Sequence, residues 1–91
     1  MKHGERRKAQ ILEAGLQLWP DVSARSIAKA VGLTHSAVLY HFTSSDALKL
    51  AIAAHAVYVQ CKRVVPMLIV GQHPAAANLT SAERTGFLSQ V

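Results

Sequence analysis

Apolar side chains recur at helical spacing through the first half of the chain. Between Glu5 and Trp19, the residues Ile11, Leu12, Ala14, Leu18 and Trp19 share one side and Arg6, Arg7, Lys8 and Glu13 occupy the rest, which predicts an amphipathic first helix. Pro20 closes that helix near Trp19, because proline disfavours helical backbone in the residue before it and has no N–H to donate. Ser23 stands where an N-cap belongs for a second helix, Ala24 to about Val31, and Gly32 marks its end, where the backbone commonly turns left-handed. Leu33 is placed to fold back onto Ile27 or Ala28 as the apolar contact of that cap. Thr34 caps a third helix, from His35 to about Phe42, anchored by Val38 and Phe42 and showing His35, Ser36, Tyr40 and His41 on its other side.

The second half is more apolar and less regular. Thr43, Ser44, Ser45 and Asp46 form a capping cluster, after which a long fourth helix is expected from Ala47 to Val65. Leu48, Ala51, Ile52 and Val59 lie on one side of it and Leu50, Ala54, Val57 and Val64 on another, so this helix needs two partners. Pro66 is expected to break or kink it, leaving Met67 to Val70 open between a short helical turn, a strand-like piece and an extended arm. After a loop from His73 to Leu79, Thr80 to Glu83 has capping-box spacing and opens a last helix to about Gln90, which Gly86 weakens by roughly 1 kcal/mol. The expected fold is all-α: a small helical bundle with a helix-turn-helix in helices one to three, the long fourth helix and a short C-terminal helical segment. Residues 1–49 form the first part and residues 50–91 the continuation, packed together as one domain.

Charge narrows the choice of partner. Ten Lys and Arg against five Asp and Glu give +5 and a pI near 9.9, which favours a polyanion such as nucleic acid. Arg6, Arg7 and Lys8, like Arg25 and Lys29, read either as a phosphate clamp or as a solvated basic face. The apolar run from Leu50 to Val70 is interrupted by His55, Gln60, Lys62, Arg63 and Pro66, so no membrane span is expected. Cys61 has no partner within the chain and the N-terminus lacks the apolar core of a secretion signal, so a reducing cytoplasm is the expected location. His3, His35, His41, His55 and His73 form no i, i+4 pair, and neither metal nor other cofactor is expected. No nucleophile–base pair, phosphate loop or paired-acid site is legible, which argues against an enzyme.

The stretch SIAKAVGLTHSAVLYHFTSSDAL, Ser26 to Leu48, resembles the DNA-binding part of the tetracycline-repressor (TetR) family. It carries an Ile-Ala pair, a Gly-apolar-Thr turn and an aromatic-x-Phe end to the third helix in one ungapped register. Two positions depart from that pattern: Leu39 stands where many members have the first of two aromatic residues, and Ser45 replaces the usual lysine before an acid. The resemblance implies that His35, Ser36 and Ala37 face base edges, with Thr34, Tyr40 and His41 reaching phosphates or the groove wall. Ser23, Ser45 and Lys49 join Arg6, Arg7, Lys8 and Arg25 as phosphate contacts. It further implies a transcriptional repressor binding double-stranded DNA as a homodimer on an inverted repeat, its reading helices about 34 Å apart.

Leu50, Val57, Val64, Met67, Leu68, Ile69 and Val70 are the expected dimer contacts, from the second apolar face. Family members continue much further than the roughly 40 residues that follow the resembling part here, so no small-molecule inducer pocket is expected and control would rest on concentration and dimerisation. The competing expectation is a helical protein-interaction module, accessory or antitoxin-like, that binds an acidic partner.

Overall fold

The computed structural model describes residues 3–89, the side chains of residues 3 and 4 excepted, and the expected end of the last helix at Gln90 lies outside that range. The described residues are all-helical: α1 His3–Leu18, α2 Ala24–Val31, α3 His35–His41, α4 Ser45–Tyr58, α5 Val65–Val70 and α6 Ser81–Leu88, with one 3-10 turn, Pro74–Ala76, between the last two. They form two compact units, one running to Ile52 and the other from Ala53, so the division falls inside α4.

In the first unit α1 packs against both α2 and α3. Its core is built from Ile11, Leu16, Val22, Ala24, Ile27, Ala28, Val38, Leu48 and Ile52, all buried. Of the residues expected on the apolar side of the first helix only Ile11 is fully buried, with Leu12, Ala14, Leu18 and Trp19 half-buried, while Leu16, outside that set, joins the core; burying a Leu, Ile or Val side chain contributes about 1.5–3 kcal/mol each. Gly15 decides how closely two elements meet. A Cβ added there would fall inside the Ile52 side chain, which is itself fully buried. The loss of about 1 kcal/mol in helix propensity at an interior glycine is offset here by close approach.

The second unit corrects two sequence expectations. The fourth helix stops at Tyr58, seven residues before the expected Val65. It ends in a Schellman arrangement: Gln60 is left-handed (φ 57°), Cys61 N–H donates to Ala56 O at 2.9 Å and Gln60 N–H to Val57 O at 3.2 Å. Pro66 therefore breaks nothing. It lies in the first turn of α5, where a missing N–H costs no helical hydrogen bond, and Met67 to Val70 are helical.

The other correction concerns the expected dimer contacts. Val64 and Leu68 are buried within the chain, at 0% and 2% exposure, and have no surface to offer a second copy. Leu50, Met67 and Val70 are exposed, while Val57 and Ile69 are half-buried. At the C-terminal end, Thr80 and Glu83 form the expected capping box: Thr80 N–H donates to Glu83 Oε1 at 2.8 Å and Glu83 N–H to Thr80 Oγ1 at 3.1 Å. Arg84 ties the preceding loop down, its Nε donating to Leu79 O at 3.1 Å and one Nη to Ala76 O at 3.0 Å.

Replacing Gly15 by valine is expected to destabilise the protein by about 1–3 kcal/mol through overpacking against Ile52. Urea unfolding measures this, and an unchanged midpoint would show that Ile52 can move aside.

Candidate nucleic-acid interface

The candidate surface is built on α2, a three-residue turn and α3. Ser23 and Ser26 form a reciprocal cap at the start of α2: Ser26 N–H donates to Ser23 Oγ and Ser23 N–H to Ser26 Oγ, each at 3.0 Å. The sequence pattern usually taken for such a box has Glu or Gln at the second position, so the role of Ser26 was not legible beforehand. At the other end Gly32 adopts φ 74° and ψ 30°, and Leu33 N–H donates to Ala28 O at 2.9 Å. Thr34 follows at once as the N-cap of α3, its Oγ1 accepting from Ala37 N–H at 3.0 Å. One left-handed residue and one hydroxyl thus end a helix and begin the next.

α3 is anchored on one side and open on the other. Val38 is fully buried, and Ala37, Leu39 and Phe42 are half-buried. His35, Ser36 and Tyr40 are exposed, Tyr40 at 84%, and the half-buried His41 ring lies edge-on to Tyr40 at 5.4 Å between centroids. Of the residues expected at base edges, His35 and Ser36 offer hydrogen-bonding groups to solvent and Ala37 offers a partly covered methyl.

The remaining candidates sit on neighbouring helices of the same unit. Arg6, Arg7 and Lys8 are exposed in the early turns of α1, Arg25 in the first turn of α2 and Lys29 in its last. Thr34 is exposed in the turn itself, and Ser23 before α2. Ser45 opens α4 and is exposed with Lys49 one turn on, while Ser44, just before, takes the capping role by accepting from Ala47 N–H at 3.1 Å. The expected dimer residues are divided: Leu50 belongs to the first unit and Val57 onward to the second. Among the described residues no three His, Cys, Asp or Glu side chains converge as metal ligands would, and no helix is long and apolar enough to cross a membrane.

Comparison with known proteins returned no matching family model, no similar curated protein and no similar solved structure.

Gly32 has open space around it, so a side chain there meets only the conformational cost of its positive φ. Gly32→Ala is expected to lower stability by about 1–2 kcal/mol and Gly32→Asn by less, since asparagine tolerates the left-handed region better. Paired chemical denaturation curves test the ranking; equal losses would point to a different cause.

Proposed function

We propose that the chain is a sequence-specific double-stranded DNA-binding transcription regulator of TetR-like type. In this reading it is a repressor that occupies an inverted-repeat operator as a homodimer in the cytoplasm, without a small-molecule inducer. The observation that carries the reading is the outer side of α3: a short helix held by Val38 and stiffened at its entry by Thr34, with His35, Ser36 and Tyr40 turned to solvent. A helix of that kind suits a major groove about 12 Å wide. Exposed Arg6, Arg7, Lys8 and Arg25 on the helices packed against it supply positive charge for phosphates.

Homodimerisation draws on a different feature. Leu50 is exposed at 51% on the part of α4 that belongs to the first unit, and Ala54 and Tyr58, the latter at 85%, are exposed on the part that belongs to the second. On α5, also in the second unit, Val70 at 75% and Met67 at 40% are exposed three residues apart. The same exposed apolar residues are what favour the second reading, a helical module that binds another protein.

Selection of bound duplexes from a random-sequence pool separates the two. The repressor reading expects a recovered inverted repeat whose affinity falls with salt, each phosphate contact adding about 0.9 to the log–log slope. His35→Ala or Ser36→Ala is expected to cost about 1–3 kcal/mol and to relax preference at particular bases, whereas Arg7→Ala weakens all sequences alike. Recovery of no enriched sequence favours the protein-binding reading. Leu50→Asp is expected to yield a monomer with weaker operator binding; sedimentation that still finds a dimer removes α4 from the contact.

A further inference from the structure

α3 reads HSAVLYH, with no Lys, Arg, Asp, Glu, Asn or Gln. The side chains that pair bidentately with guanine or adenine, and the carboxylates that accept from cytosine, are therefore absent from this helix. What it offers instead is set by its rotation. Val38 is fully buried, and at roughly 100° per residue Ser36 and Tyr40, two positions before and after it, stand roughly 160° around the helix from it on either side. Exposure follows that angle. Ala37, Leu39, His41 and Phe42, all nearer the azimuth of Val38, are half-buried, whereas Ser36 and Tyr40 are exposed, Tyr40 at 84%. His35, exposed at the first residue, stands to one side. The outermost line of α3 thus runs from Ser36 to Tyr40, about 6 Å along the axis.

We propose that Tyr40 reads a base edge rather than a phosphate, packing its ring on the 5-methyl group of a thymine, with Ser36 addressing an edge about two base-pair steps away. The inference rests on the DNA-binding reading above and names the bases it favours. α1 and α2 both pack against α3, which leaves the side opposite Val38 for DNA. A helix about 10–12 Å across fills a groove about 12 Å wide, so its outermost line meets the floor and its flanks meet the walls. Base edges form that floor and phosphates rim the walls. The resemblance to known repressors implies the wall for Tyr40; its position on the helix points to the floor.

The partner follows from the chemistry of the ring. The thymine methyl is the apolar group that base edges present in the major groove, and the Tyr40 ring is the large apolar surface that α3 exposes. His41 limits how that ring can swing, its own ring lying edge-on at 5.4 Å between centroids and 79° between planes. The Ser36 hydroxyl both donates and accepts, so it suits any base and leaves most of the discrimination by α3 to Tyr40.

The test uses the full chain and the duplex recovered by selection, with dissociation constants from fluorescence anisotropy. Each thymine is replaced in turn, in both half-sites, by deoxyuridine, which removes the methyl and leaves the pairing intact. One position is expected to lose roughly fourfold in affinity for each methyl removed. That loss is expected to persist in Tyr40→Phe, which keeps the ring, and to vanish in Tyr40→Ala. Ionic strength is set low enough for every variant to bind measurably, since affinity rises as salt falls. The proposal is overturned, with the DNA-binding reading left standing, by half-sites without thymine or by uracil tolerated at every position. A methyl effect that survives in Tyr40→Ala, or a Tyr40→Ala that weakens thymine and uracil duplexes alike, overturns it too, the latter placing Tyr40 on the backbone. Failure to recover any duplex overturns both.

Discussion

Three residues between α2 and α3 have to end one helix, start another and leave no orphaned backbone group, and the rest of the first unit depends on their doing so. Gly32 turns left-handed so that Leu33 N–H reaches back to Ala28 O, and Thr34 immediately turns its hydroxyl to Ala37 N–H. Such a short connection fixes where α3 starts relative to the end of α2. With Val38 buried, the helix is also held in rotation about its own axis, and that hold is what leaves His35, Ser36 and Tyr40 outside. The candidate surface is thus a consequence of backbone accounting and one buried valine.

The same accounting governs the second unit, with different residue types. α4 and α5 both end with a left-handed glutamine, Gln60 and Gln72, each followed by an amide that reaches back five residues: Cys61 to Ala56 O and His73 to Leu68 O. Glycine would take that conformation at lower cost, yet the glycine nearest the second of these sites, Gly71, sits at φ −80°. Ending α4 at Tyr58 lets Val64 and Leu68 become core residues, so their apolar character serves this chain's own packing. Of the apolar residues expected at a dimer contact, Leu50 in the first unit and Met67 and Val70 in the second stay exposed.

Much of the first unit was legible because its signals are local. Proline after α1, serine and threonine caps, and glycine at the turn each act through the backbone within one helical turn, and the boundaries of α2 and α3 follow within a residue. The capping box at Thr80 and Glu83 was legible for the same reason. The ends of α4 and α5 were not, since a glutamine in the left-handed region carries no compositional mark. Two serines capping each other at Ser23 and Ser26 likewise fall outside the usual pattern.

By itself the sequence determined an all-helical chain, the positions of α1 to α3, the polar outer residues of α3 and a basic charge balance, because periodicity, caps and charge are properties of near neighbours along the chain. Only the tertiary structure decided that Gly15 admits Ile52, that Pro66 begins a helix, and which apolar residues of α4 and α5 face inward. An apolar side chain reads the same whether it ends in this chain's core or on its surface. The difference lies in which distant residues cover it, and that is settled when helices far apart in sequence meet.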